Sequence, residues 1–335
     1  VDCATGKGAT ELCHESIAED ESMPGLIYPL KKEQPDTPSR RTLLRLSLGL
    51  LALRFAPSTW ARADAAPLRV ITLFQGATDS AVALGITPCG IVDSWSEKPT
   101  YRYLRSALEP VPHVGLETQP SLEDIALLKP DVIIASRFRH ERIAPLLKQI
   151  APVVMLEEVF EFKKTLALMG LALHRQQRAD EVLARWQLRT AQLREQLQQE
   201  FAGRWPPTVS ILDVREDHIR SYLPASFPGS VITELGFGWS EASRAANGVS
   251  IKLTSKESLA VVNADIFFVF LRAEKPAVQR NYESLVQHPL WQQMRAPQQG
   301  QVWRVDGVAW SLSGGMLGAN LMLDDVARLV TADLS

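Results

Sequence analysis

The sequence predicts an α/β protein of two lobes, each a mostly parallel sheet with flanking helices, joined by one long helix. Three observations predict this. From Leu68 to Leu156 short apolar runs alternate with helical patterns, the signature of a parallel sheet covered by helices. Strand and helix patterns return after Pro206-Pro207. Between them Arg175 to Phe201 keeps a helical period, and at 1.5 Å per residue it reaches about 40 Å, enough to bridge two domains.

In the first lobe Val70 to Phe74 and Gly90 to Val92 read as strands, with a helix from Thr78 to Leu84 between them and Thr78 as its cap. Ser121 caps a short helix, with Asp124 at the third helical position as an imperfect capping box. Leu122, Ile125, Ala126 and Leu128 form its apolar face, and Pro130 stops it. Asp131 to Ala135 is an apolar run fitting a buried parallel strand. A second helix runs to about Ile150, and Pro152 opens the strand Val153 to Leu156. Phe160 to Phe201 is largely helical, broken near Gly170 and His174. In its long part Ala179, Val182, Leu183, Trp186, Leu188 and Leu193 are the expected buried positions.

In the second lobe Val209 to Leu212, His218 to Leu223, Ile266 to Leu271 and Val302 to Val305 read as strands. Helices are expected over Phe227 to Leu235, over Ser255 to Val262 with Ser255 as cap, and over Ser313 to Val330. The organisation predicted is an export segment over 1–66 and an N-terminal α/β lobe over 67–158. A helical linker follows over 159–204, then a C-terminal α/β lobe over 205–335. About 270 residues beyond the export segment are enough for two lobes, each with its own core.

The chain carries 36 basic and 38 acidic residues, a balance that gives no reason to expect nucleic acid as a partner. Ser39-Arg40-Arg41-Thr42-Leu43-Leu44 resembles a twin-arginine export signal. The apolar segment after it, Leu43 to Phe55, is shorter than the ~20 residues a membrane span needs. Small residues from Ala61 to Ala66 suit cleavage near 63–66 and release into the periplasm. Residues 1–38 are long and polar for the front of a signal, and Met23 is the expected start. Cys3 and Cys13 precede the signal, which leaves Cys89 alone, without a disulfide partner and in an apolar setting that suits a core thiol.

Motifs in a fixed order carry a family resemblance. They are Ala83 to Asp93, P-S-L-E-D-I-x-x-L-K-P-D-V-I-I from Pro120 to Ile134, and I-A-P-V-V from Ile150 to Val154. Gly229 to Gly236, Ser255 to Leu259, His288 to Met294 and Val308 to Trp310 continue it. From Pro67 to Val330 the chain resembles the periplasmic iron(III)-siderophore-binding proteins of ABC importers, class III binding proteins built of two Rossmann-like lobes. Ferric citrate and ferric hydroxamate receptors are the members it resembles. The resemblance implies a carrier, not an enzyme, that works as a monomer and hands its cargo to permease subunits. It implies no cofactor and no direct protein ligand to metal, because the siderophore already wraps the iron. Cobalamin, haem or another metal chelate on the same fold is the alternative cargo.

A caged anionic ferric ion is best met by arginine, whose planar fork pairs with carboxylate, hydroxamate or catecholate oxygens. Ligands of open α/β sheets lie beyond the carboxyl ends of strands. Ser136, Arg137, Arg139 and His140 follow a strand there, Gln75 follows the first strand and Trp95 the second. Arg215, Arg220, Trp239, Arg272 and Trp310 are the candidates of the second lobe. Many members of the family read V-G-x-R-x-x-P with an arginine on the chelate. Here Val114 to Pro120 places Glu117 at that position, where it would repel an anion unless Arg137 or Arg139 pairs with it. Glu123 and Glu257 match the family's permease-docking glutamates, although a carboxylate in a first helical turn also suits the helix dipole.

Enzyme readings find no support in the pattern. Leu312-Ser313-Gly314-Gly315 has no phosphate-binding G-x-x-x-x-G-K-[ST] companion. There is no G-x-S-x-G elbow, and the six histidines form no H-x-H or H-x-x-x-H pair.

Overall fold

The computed structural model describes residues 67–332. The predicted export segment, Met23 and the first two cysteines lie outside the described residues. Among those described, no helix is long and apolar enough to cross a membrane.

The first sheet holds β1 (Val70–Thr72), β2 (Gly90–Asp93), β3 (His113–Leu116), β4 (Gln119–Pro120), β5 (Val132–Ser136) and β6 (Val153–Leu156), in the order β4-β3-β2-β1-β5-β6. Every neighbouring pair is parallel except β3 with β4. The chain begins in the middle, steps to one edge, then returns to the other side of β1. Such a reversal opens a crevice beyond the carboxyl ends of the strands on either side of it.

The second sheet holds β7 (Thr208–Val214), β8 (Ile219–Tyr222), β9 (Gly238–Trp239), β10 (Ser250–Leu253), β11 (Ile266–Leu271) and β12 (Val302–Arg304), in the order β10-β8-β7-β11-β12 with β9 also beside β7. Strands β7, β9, β11 and β12 are parallel, whereas β8 pairs antiparallel with β7 and β10.

The helices that matter for the site are α1 (Gln75–Ala83), α2 (Leu122–Leu127), α3 (Arg137–His140), α4 (Ala144–Ile150), α5 (Phe162–Ala172), α6 (Gln176–Phe201), α7 (Phe227–Glu234), α8 (Pro276–Val286) and α9 (Met316–Ala332). The break predicted before the long helix falls at His174, whose φ of 55° turns the chain out of α5. Helix α6 runs 26 residues and joins the two sheets.

Each sheet has an outer core of its own, one around Ile71, Ile133 and Leu147, the other around Leu212, Phe267 and Trp291. The largest core is common to both. It passes from Val70 and Phe74 through Phe162, Trp186 and Leu193 into Val209, Phe268, Trp310 and Met322. At its centre Phe162 meets Trp186 and Phe227 edge to face, with centroids 5.2 and 5.5 Å apart. Glu234 at the end of α7 fastens the junction. It accepts from the Trp186 indole at 3.0 Å and from Lys163 at 2.6 Å, while its carbonyl accepts from Arg194.

Helix α9 begins against α1. The buried Asp79 accepts from the N–H groups of Leu317 at 2.8 Å and Gly318 at 2.9 Å and from the Tyr103 hydroxyl at 2.8 Å. It satisfies two orphan donors of the α9 N-terminus from 238 positions away in sequence. Glycine permits the approach, since a Cβ on Gly76 would lie 2.4 Å from the Gly314 carbonyl oxygen.

Several expectations are corrected. Thr78 does not cap α1. It lies inside the helix, and its hydroxyl pairs with Thr72 at 2.7 Å. Leu188 is 60% exposed, because two residues of helix rotate it some 200° away from buried Trp186. Lys256–Val262 is a 3-10 helix rather than an α-helix, and Ser255 hydrogen-bonds the Glu257 carboxylate instead of the helix N-terminus. The closing helix starts at Met316, after a π turn over Val308–Leu312. Cys89 is half-buried beside the outer core of the first sheet, and burial pushes its thiol up.

Candidate ligand-binding site

The carboxyl ends of β1, β2, β3 and β5 meet at one residue, Glu117. Its carboxylate accepts from the Gln75 N–H at 3.2 Å, the first donor of α1, which lacks a side-chain cap of its own. It also accepts from the Trp95 indole at 3.2 Å and from Arg139 Nε at 3.2 Å. Glu117 is 5% exposed, and burial raises its carboxyl above the ordinary value against the pull of Arg139.

Arg139 is held above two rings, 5.5 Å from the Trp95 centroid and 4.8 Å from that of Phe138. Trp95 is 46% and Phe138 55% exposed, so the pair forms an open aromatic wall. Gln75 turns its amide to the Asp93 carbonyl at 3.0 Å and braces the turn that carries Trp95.

The carboxyl ends of β7 and β11 and the start of β8 place Arg215, Arg272 and Arg220 around one carboxylate. Asp213 is fully buried and takes Arg215 at 2.9 Å and Arg272 at 3.0 Å on the same oxygen. Arg220 stands opposite Asp213 in the β7–β8 register. Among the described residues the Nε atoms of Arg220 and Arg272 and the second Asp213 oxygen are buried without a hydrogen-bond partner. These atoms are closed to solvent, and what the strand ends offer a ligand is the exposed quarter of the Arg215 and Arg272 side chains.

A single turn ties these two groups together. The Tyr101 hydroxyl donates to the Leu312 carbonyl at 3.3 Å, and the Ser311 hydroxyl pairs with Tyr222 at 2.8 Å. Tyr222 in turn accepts from Arg272 at 3.2 Å. Burial pushes the Tyr101 phenol far above its usual value, with Glu117 adding to the shift and Arg272 opposing it, so both groups of side chains lie within electrostatic reach of one ring.

The sequence profile of the periplasmic binding protein family matches residues 70–309. The chain belongs to that family. It is 72% identical over 291 residues to the achromobactin-binding periplasmic protein of Dickeya dadantii, which covers 87% of this chain and 95% of that one. Its identity to FecB, the Fe(3+) dicitrate-binding periplasmic protein of Escherichia coli, is 32% over 267 residues, covering 78% and 85% of the two chains. Among solved structures, Staphylococcus aureus SirA complexed with staphyloferrin B is similar with a TM-score of 0.76 at 34% identity, covering 79% and 93%.

Not every predicted residue of this periplasmic binding protein reaches the strand-end site. Arg137 points away and pairs with Glu157 at 2.7 Å and Glu141 at 3.1 Å. Ser136 caps α3 through the Arg139 N–H. His140 is buried. Its Nδ1 accepts from the Ser136 N–H at 3.1 Å, so its Nε2 donates to the Glu117 carbonyl at 2.8 Å. Burial lowers its pKa and keeps the ring neutral. Trp239 is buried and donates to Thr233, and Trp310 lies in the common core, 4.6 Å from Phe268, with its indole on Asp325. Each of these side chains has its partners within the protein.

Asp213, Tyr101 and Tyr222 were not singled out by the sequence. For Asp213 the signal was present, a lone carboxylate inside the strand Val209-Ser210-Ile211-Leu212-Asp213-Val214. Glu123 and Glu257 are both exposed, at the starts of α2 and of the 3-10 helix. A groove of about 480 Å³ lined by Arg178, Arg185, Trp186 and Met316 opens at the far end of α1 and is separate from the strand ends. Among the described residues no three His, Cys, Asp or Glu side chains converge as metal ligands.

Proposed function

We propose that this chain is a periplasmic carrier of an anionic iron(III)-siderophore of the citrate type, which it delivers to an ABC importer. The observation that carries the reading is the excess of guanidinium at the site. Arg215 and Arg272 share the single carboxylate of Asp213, and Arg220 stands opposite it in the strand register. A cation-rich strand end with partly exposed arginines suits a chelate that presents carboxylates. The relatives' names point the same way, since one is named for achromobactin and one for ferric dicitrate. Trp95 and Phe138 supply the aromatic wall, and Arg139 lies over both.

Tryptophan emission tests it, because Trp95 is half exposed beside Arg139. Ferric achromobactin and ferric citrate are expected to quench it, and the electroneutral ferrichrome is not. Quenching by ferrichrome alone would overturn the anionic reading. Arg139→Ala is expected to weaken the ferric citrate complex by about 1.5–3 kcal/mol, the range of a charge-assisted hydrogen bond.

Delivery rests in this reading on Glu123 and Glu257, one at the start of an exposed helix in each lobe. Replacing both by alanine is expected to abolish uptake of the ferric chelate in cells while the purified protein binds it as before. Uptake at the unaltered rate would remove them from the docking face. The reading takes the chain as a monomer, exported by its twin-arginine segment and released by cleavage near residues 63–66.

A further inference from the structure

Glu117 is a buried carboxylate in a site read as a receptor for anions, and its contacts give it a purpose there. It gathers three separate segments, the start of α1 through the Gln75 N–H, the β2 loop through Trp95, and α3 through Arg139. It engages Arg139 through Nε alone, and the two terminal nitrogens of that fork have no partner among the described residues. Arg139 is therefore held in place over two rings, with its charge matched by a carboxylate 3.2 Å away. The second lobe differs, since one carboxylate there pairs with two guanidinium groups and a third, that of Arg220, stands opposite it in the strand register.

We propose that Glu117 sets the charge preference of the site. It fixes and neutralises Arg139, so that the first lobe meets a ligand as an uncharged aromatic surface with two terminal guanidinium nitrogens as N–H donors, and the anionic face of the chelate goes to Arg215, Arg220 and Arg272. Glu117 is thus a positioning residue that acts through Arg139. The inference rests on the function proposed above and specifies which lobe takes the charge.

A purely structural Glu117 and a charge-setting one predict opposite results for Glu117→Gln. Loss of a structural brace weakens every ligand. Loss of the compensating charge adds one net positive charge to the site and tightens an anion. Ferric citrate is the probe, titrated by tryptophan emission at low salt and in 0.5 M sodium chloride. Glu117→Gln is expected to tighten it about tenfold at low salt, with most of the gain gone at high salt.

A second comparison serves if that variant does not fold. Arg139→Gln leaves an unpaired carboxylate in the wall, and adding Glu117→Gln removes it. The double variant is expected to bind ferric citrate about tenfold more tightly than Arg139→Gln alone. Weaker or unchanged binding in either comparison overturns the inference and leaves the proposed function standing. Failure of the unaltered protein to bind either ferric citrate or ferric achromobactin overturns both.

Discussion

Replacing Asp213 by alanine will cost the protein about 3 kcal/mol of stability, the lower end of the range for stripping one partner from a buried ion pair. Asp213 is fully buried, and Arg215 and Arg272 converge on one of its oxygens. Both guanidinium groups are about a quarter exposed, which moderates the loss, because water can reach part of each. Asp213→Asn keeps the shape and an acceptor, and it is expected to lose less than the alanine variant. Urea unfolding of the two variants beside the parent gives the comparison. A loss below about 1 kcal/mol for alanine would mean that the arginines are as well solvated without their carboxylate as with it.

The second large effect concerns pH. Burial pushes Asp79 up to about 6 from 3.8, against the pull of the α9 N–H groups and the Tyr103 hydroxyl. The folded chain therefore keeps a proton that the unfolded chain has released. The stabilisation from that proton is complete below about pH 4 and is lost as pH rises through 6, about 3 kcal/mol in all. Asp79→Asn does not titrate. Denaturation at pH 4 and pH 7 should show the parent losing about 2 kcal/mol relative to the asparagine variant over that interval. The variant carries a constant penalty, because one amide oxygen cannot accept all three donors. Other titrating groups cancel in the difference. A parent-minus-variant difference equal at the two pH values would show that Asp79 stays ionised in the fold.

The strands most legible in the sequence are those buried on both faces. Val132–Ser136 and Ile266–Leu271 run where the apolar residues run, since a strand covered on both sides has no reason to alternate. Strands β3 and β10 escaped notice. His113–Leu116 and Ser250–Leu253 lie toward the edges and mix polar with apolar residues, so pairing rather than composition makes them strands. Helix α8 was missed as well, with buried Val278 and Leu285 separated by mostly polar positions.

The site was legible as a set of strand ends. Arg139, Trp95 and Gln75 come together there with Glu117, and Arg215, Arg220 and Arg272 gather around Asp213. Sequence could not separate Arg137 from Arg139, two residues apart, because the choice depends on which way one turn of α3 faces. Nor could it separate Trp95 from Trp239 and Trp310. An indole is equally at home against a ligand or in a core, and only the packing around Phe268 and Thr233 decides.

The turn over Val308–Leu312 has one more consequence. Tyr101 grips it from one side and Tyr222 from the other. Any rocking that parts the two tyrosines gives up one of these bonds, about 1 kcal/mol, and leaves the turn with the other side. Rocking on that scale would also strain the core common to both sheets, which runs through Phe162 and Trp186. The clasp itself is only slightly stronger than thermal agitation, so the packed joint beneath it is what keeps the two strand-end groups facing each other.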